Sequence, residues 1–115
     1  MKNSTLALPS QAAVGLDLAR LQKRALHAAK LLKVMANPNR LVILCQLAEG
    51  EKSVGELEGV VGVSQSALSQ HLTVLRRQGI VTTRRVAQSI FYSLASEEAQ
   101  AVMVTLHDLF CARPT

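Results

Sequence analysis

Hydrophobic residues recur at spacings of three and four through much of this chain, as in amphipathic helices. Residues 1–14 lack such a period, and we expect a flexible arm there, followed by one domain over residues 15–113. Asn37 and Pro38 suit a helix cap and a first helical position, so they predict the end of a first helix and the start of a second, at Asn39 to about Ala48. The first helix is predicted by an apolar stripe that consists of Leu18, Leu21, Ala25, Ala28, Leu32 and Met35.

A helix–turn–helix is predicted in the middle of the chain. Ser53 and Glu56 have the spacing of a capping box at the start of a short third helix, which Gly62 ends. Ser64 is the expected cap of a fourth helix over residues 65–78, and Gly79 ends it.

Two strands and a last helix complete the predicted fold. Residues 80–85 and 89–94 alternate in the manner of paired strands, although Val86-Ala87-Gln88-Ser89 lacks a Gly and leaves the turn type open. Ser96 is the expected cap of a last helix with a broad apolar stripe. The fold class is therefore mainly α with a small β-hairpin, a winged helix–turn–helix. The first and last helices carry more apolar surface than this core can cover, so we expect a homodimer through them.

Charge points to nucleic acid as the partner. The 115 residues have a net charge of +5, and between residues 59 and 96 there are four arginines and no Asp or Glu. A phosphate backbone repels acids and attracts Arg, so this segment is suited to lie on DNA. Only three aromatic residues are present, which favours double-stranded DNA over single strands that need stacking partners.

The fourth helix is the candidate recognition helix, since the second helix of this motif enters the major groove. Leu68, Leu72 and Leu75 are predicted to face inward. Polar residues fall on the other side, where they can reach bases or form only a solvated face. Arg76 and Arg77, near the helix end, are better placed for phosphates than for bases. Arg84 and Arg85, at the hairpin tip, could reach a neighbouring phosphate or a minor groove. The remaining candidate DNA-binding residues are Gln65, Ser66, Ser69, Gln70, His71 and Thr73.

Three stretches resemble the arsenic-repressor (ArsR/SmtB) family of homodimeric winged-helix repressors: NPNRLVIL, ELEGVVGVSQSALSQHLTVLRRQGIV and the RR…FYSL wing. The resemblance covers roughly residues 28–111. It implies a repressor that leaves its operator when an inducer is sensed, with Gln65, Ser66, Ser69, Gln70 and His71 on DNA. Arg40 matches an arginine common in the family and is expected to contact a phosphate or a helix carboxylate.

Two cysteines, Cys45 and Cys111, are candidate sensing residues. Each by itself could be an ordinary small apolar residue. Their positions resemble the redox- and sulfide-responsive branch of the family, the HlyU-like and BigR/SqrR-like regulators, which implies a disulfide or polysulfide bridge that weakens DNA binding. A direct disulfide requires Cα atoms within roughly 7 Å.

Other functions are less well supported by the residues. The family's two metal-site patterns are missing, which leaves Cys45, His107 and Cys111 as an alternative metal-responsive set. A thiol enzyme is disfavoured because there is no Cys-x-x-Cys pair and no glycine-rich cofactor loop, and we expect no cofactor. A winged helix used only for protein docking would not need the acid-free arginine segment. No apolar run approaches membrane-spanning length, so we expect a cytoplasmic protein without membrane contact.

Overall fold

A computed structural model describes residues 17–111, so the predicted arm at residues 1–14 lies outside the described part of the chain. The chain divides into two compact units, one that ends at Leu32 and one that begins at Lys33. The single domain predicted over residues 15–113 stays a prediction.

The first unit contains most of helix α1, Leu18–Met35. The helix begins where the Oδ1 atom of Asp17 accepts a hydrogen bond from the backbone N–H of Arg20, at 2.8 Å. Several of its leucines are exposed, among them Leu18 and Leu26. None of the described helices has the length and apolar character needed to cross a membrane.

The second unit is built from four further helices and three strands. The helices are α2 Pro38–Glu49, α3 Val54–Val61, α4 Gln65–Arg77 and α5 Glu97–Phe110, and the strands are β1 Lys52–Ser53, β2 Val81–Val86 and β3 Ser89–Leu94. This order confirms the mainly helical winged helix–turn–helix predicted from the sequence.

The predicted helix caps are present. Asn37 accepts hydrogen bonds from the backbone N–H groups of Asn39 and Arg40, and Pro38 occupies the first helical position of α2. Ser53 and Glu56 form both bonds of the capping box of α3. Ser64 and Ser96 accept backbone N–H groups at the starts of α4 and α5 in the same way. Each cap satisfies N–H groups that have no partner within their own helix.

The sheet has one more strand than the sequence predicted. Its order is β1-β3-β2 and all pairs are antiparallel. Strand β1 has only two residues, Lys52 and Ser53, which is too short for a period-two pattern to be recognised. The hairpin turn places Ala87 at φ 55°, the one non-glycine residue with positive φ in the described chain. A positive φ at the first loop position alone is typical of a type II′ turn, in which Gly is usual.

The core lies between α2, α3, α4 and α5. Its buried residues are Met35, Ile43, Leu44, Leu47, Leu57, Val61, Leu68, Leu72, Leu75, Ile80, Val81, Ala99 and Met103. Leu68, Leu72 and Leu75 of α4 are among them, as predicted, so one side of α4 is fixed by packing. The hairpin and α5 pack on the same core, which fixes the position of the wing beside α4.

Candidate nucleic-acid interface and thiol site

Helix α4 presents a polar face to solvent. Gln65, Ser66, Ser69 and Gln70 are exposed. Their amide and hydroxyl groups can donate and accept hydrogen bonds at base edges. None of the described polar residues is buried, so these four side chains are not needed to satisfy polar side chains in the core. They remain available for an external ligand.

His71 has a partner inside the protein. Its Nδ1 accepts a hydrogen bond from Nε of Arg40 at 3.2 Å. Partial burial and the nearby Arg40 charge lower the pKa of His71. The neutral ring is therefore favoured, with its proton on Nε2. His71 thus has only its Nε2 edge free to reach DNA.

Arg40 links three parts of the second unit. Besides His71, it donates from Nη1 to the carbonyl oxygen of Val34 at 3.1 Å, in the last turn of α1. Among the described residues Arg40 has no carboxylate partner, so the expectation that it pairs with a helix carboxylate is wrong. The contact fixes α4 against the junction of α1 and α2, and it is a structural use of Arg40.

The C-terminal half of α4 carries cations. Arg76 and Arg77 are exposed in its last turn. Cations at this end stabilise a helix because its carbonyl groups carry partial negative charge. The same side chains can also neutralise phosphates. Thr73 is exposed, but its hydroxyl donates to the carbonyl oxygen of Ser69 at 2.8 Å, which leaves it less free to bind a base.

The two wing arginines differ. The guanidinium of Arg84 donates to both carboxylate oxygens of Glu51, with both N···O distances at 2.7 Å. The acid-free segment predicted from the sequence is therefore not acid-free in space, because Glu51 reaches it from outside. Arg85 is exposed at the hairpin and has no ion pair within residues 17–111.

A cleft of about 500 Å³ separates the start of α4 from β3. Its lining includes Gln65, Ser66 and Ser69 on one side and Ile90 and Tyr92 on the other. The candidate reading residues and the wing thus border the same open space. Nothing in the local sequence around Tyr92 distinguished it from an ordinary strand residue.

The two cysteines line the same cleft, although they are 66 positions apart. Both are free thiols; Cys45 is half-buried and Cys111 is exposed. Both line one apolar cleft of about 310 Å³ between α2 and α5, with Leu41, Val42, Met103, Leu106, His107 and Phe110. The backbone N–H of Cys111 donates to the carbonyl of His107 at 2.8 Å, which holds Cys111 at the end of α5.

His107 lines the same cleft as the two thiols. Its Nδ1 lies 3.9 Å from an Asp108 carboxylate oxygen, on an exposed part of α5. Within residues 17–111 the structure gathers no three His, Cys, Asp or Glu side chains that could hold a metal ion. The alternative metal set of Cys45, His107 and Cys111 therefore gains no support from a single chain.

Glu51 is the residue that sequence reasoning missed. It lies 33 positions before Arg84, and no local pattern indicates that pairing. Only the pairing of β1 with β3 brings it to the wing.

A capped recognition helix with a polar outer face, beside a hairpin wing, defines a winged helix–turn–helix DNA-binding protein. A family model described as bacterial regulatory protein, arsR family, matches residues 37–83. The transcriptional activator HlyU of Vibrio cholerae is 51% identical over 96 residues, which are 84% of this chain and 89% of HlyU. A biofilm growth-associated repressor of Agrobacterium fabrum is 50% identical over 97 residues, 84% of this chain and 83% of the repressor.

Solved structures agree with these relatives. Reduced HlyU from Vibrio cholerae superimposes with a TM-score of 0.79 at 52% identity, over 82% of this chain and 99% of HlyU. The transcriptional repressor BigR from Xylella fastidiosa gives a TM-score of 0.75 at 48% identity, over 82% of this chain and 96% of BigR. The chain belongs to the arsR family and is a DNA-binding transcriptional regulator. These relatives are named as regulators rather than as enzymes.

Proposed function

We propose that this regulator is a homodimeric repressor that releases operator DNA when Cys45 and Cys111 react with reactive sulfur species or oxidants. The observation that carries the proposal is that both thiols line one apolar cleft between α2 and α5. The direction of control is part of the proposal, since one relative is named an activator and another a repressor.

Exposure gives the two thiols different parts in the reaction. Cys111 is exposed and Cys45 half-buried, so Cys111 meets the reagent first and Cys45 resolves the product. With hydrogen peroxide, the Cys111 thiol is oxidised to a sulfenic acid as the O–O bond breaks, and one water leaves. Attack by Cys45 then forms the disulfide and releases a second water. With an organic trisulfide, attack by both thiols on the central sulfur forms a protein trisulfide and releases two low-molecular-weight thiols.

A bridge would join two elements that also position the DNA-binding surface. Helices α2 and α5 each pack against β3, and α2 packs against α3. Tying the end of α5 to the middle of α2 restricts the motion of α5 relative to the helix–turn–helix. If α5 also joins two copies, the restriction changes the spacing of two recognition helices, which must fit grooves about one DNA turn apart.

Exposed apolar side chains support a dimer through α1 and α5. Val104, Leu109 and Phe110 of α5 are about half exposed or more, as are Leu18 and Leu26 of α1. Large apolar residues grouped on helix faces are typical of surfaces that pack against another copy. Two copies also supply the two recognition helices that a palindromic operator needs.

The DNA interface that we propose combines base and phosphate contacts. Polar residues at the start of α4 read bases, with the Nε2 edge of His71 and the hydroxyl of Thr73 at its margin. Arginines of α4 and the wing contact phosphates. The proposed base-reading residues are Gln65, Ser66, Ser69 and Gln70, and the proposed phosphate-binding residues are Arg76, Arg77, Arg84 and Arg85.

The test combines DNA binding with intact mass. A duplex enriched by the reduced parent from a random-sequence pool serves as the probe. An organic trisulfide or hydrogen peroxide is expected to weaken binding at least tenfold in the parent, while intact mass reports a bridge within one chain. Dithiothreitol is expected to restore both.

The variants Cys45→Ser and Cys111→Ser are expected to bind the same duplex as the reduced parent and to ignore both reagents. A matched control, Ser69→Ala, leaves both thiols in place, so it should bind DNA less well but still respond. If the cysteine variants respond like the parent, thiol sensing is wrong, whereas failure of the reduced parent to bind any duplex would overturn the DNA interface.

A further inference from the structure

The adjacent arginines of the wing have different surroundings. Two hydrogen bonds of 2.7 Å join Arg84 to Glu51, and the guanidinium carbon lies 5.2 Å from the centre of the Phe91 ring. The hydroxyl of Ser93 donates to the same carboxylate at 3.3 Å. A bidentate charge-assisted pair on an aromatic face has a defined geometry, unlike a flexible surface arginine.

The register of the hairpin places the two arginines on opposite faces. Arg84 is paired with Phe91, and Arg85 with Ile90. Directly opposed residues share a face, and neighbours along a strand alternate. Ile90 lines the cleft beside Gln65 and Ser66. Arg85 is therefore on the face of the hairpin that borders α4, and Arg84 is on the other.

The Glu51–Arg84 pair connects the two outer strands. Glu51 directly precedes β1, Arg84 lies in β2, and β3 runs between them. The pair thus crosses the central strand and ties the hairpin to the loop after α2. If Arg84 moved to a phosphate, it would break two charge-assisted bonds and leave the Glu51 carboxylate beside DNA.

We propose that Glu51 and Arg84 are positioning residues that hold the wing while DNA is bound, and that Arg85 is the wing arginine that neutralises a phosphate. This inference rests on the proposed DNA interface, and it removes Arg84 from the proposed phosphate-binding residues. The carboxylate of Glu51 stays ionised beside Arg84, since the hydrogen bond from Arg84 lowers the pKa of the carboxyl.

The salt dependence of DNA affinity tests the assignment. Each phosphate contact contributes about 0.9 to the magnitude of the slope of log affinity against log salt concentration. This corresponds to about a 3.5-fold loss of DNA affinity between about 50 and about 200 mM salt. Arg85→Gln is expected to reduce the slope by about 0.9. Glu51→Gln/Arg84→Gln removes the pair without changing the net charge, and it is expected to keep the slope of the parent.

Charge reversal supplies a second measurement. Arg84→Glu places a carboxylate beside Glu51 and is expected to weaken DNA binding by more than tenfold. Adding Glu51→Arg reverses the pair and is expected to restore most of the affinity, because the two outer strands are tied again. Thermal unfolding of each variant confirms that it is folded before its affinity is measured.

The opposite results would overturn the inference. If Arg84 contacts a phosphate, the double Gln variant loses about 0.9 of slope, and the reversed pair stays weak because it puts a carboxylate where the phosphate lies. If both Arg85→Gln and the double Gln variant lose slope, the DNA interface stands, and only the positioning role of Glu51 and Arg84 is overturned. An unchanged slope in Arg85→Gln overturns the assignment of Arg85.

Discussion

Helix α4 and the α2–α5 cleft are constructed in different ways. Three buried leucines and a serine cap hold α4, so its polar face is fixed by packing on the opposite side. The cleft is apolar and its walls are partly exposed, with Cys111 and Phe110 open to solvent. The proposed DNA-reading surface is therefore held in one position by the core, whereas the α2–α5 cleft is open to a reagent.

The largest effect tests the packing of α4. Leu72→Ala removes a side chain that is 2% exposed, so the free energy of unfolding should fall by about 2–5 kcal/mol. Urea denaturation measures this loss. The exposed control Val60→Ala is expected to change stability by less than about 0.5 kcal/mol. Equal losses in both variants would show that α4 is not anchored as described.

The next effect tests α5 as a dimer surface. Phe110 is 74% exposed in the single chain, and on our proposal it is covered by a second copy. Phe110→Ala should then raise the dimer dissociation constant by roughly 30-fold, as for an aromatic residue that contributes about 2 kcal/mol. Sedimentation equilibrium measures it, again with Val60→Ala as the control. A monomeric parent would remove the basis of this prediction.

A smaller effect separates stability from recognition within α4. Ser64→Ala removes the cap bond to the backbone N–H of Ala67 and should cost about 1 kcal/mol of stability. Ser66→Ala, two residues later, should leave stability unchanged and weaken DNA binding. Urea denaturation and fluorescence anisotropy on the same two variants measure the two quantities. A loss of stability in Ser66→Ala, or a loss of DNA binding without a loss of stability in Ser64→Ala, would contradict this separation of cap and reading face.

The smallest effect concerns pH. The pKa of His71 is lowered in the folded chain from its usual 6.5, so the unfolded chain binds the proton more readily. The stabilising contribution is therefore complete above pH 6.5 and is lost as the pH falls through the folded pKa. The free energy of unfolding, measured by urea denaturation, should be lower at about pH 5.5 than at about pH 7.5. His71→Gln should make this difference smaller. Glu51 and Glu56 remain ionised over this range, because their pKa values lie below 4.5.

Much of the fold could be predicted because its signals are local. The Asn37–Pro38 junction, the capping box at Ser53 and the cap at Ser64 each depend on residues within four positions. Strand β1 could not be predicted, since two residues carry no period. The Arg40–His71 contact joins positions 31 apart, and nothing in either local sequence indicates the other residue.

Local sequence accounts for the helices, the hairpin and the arginine-rich character of residues 59–96, because periodicity, caps and charge are properties of neighbouring residues. Tertiary contacts account for the ion pair of Arg84 and for the lack of one at Arg85 within residues 17–111. Pairing of β1 with β3 brings Glu51 to Arg84, and strand alternation places Arg85 on the opposite face. Tertiary structure also decided that Cys45 and Cys111 share one cleft. Contacts between distant positions depend on how the elements pack, and local sequence does not encode them.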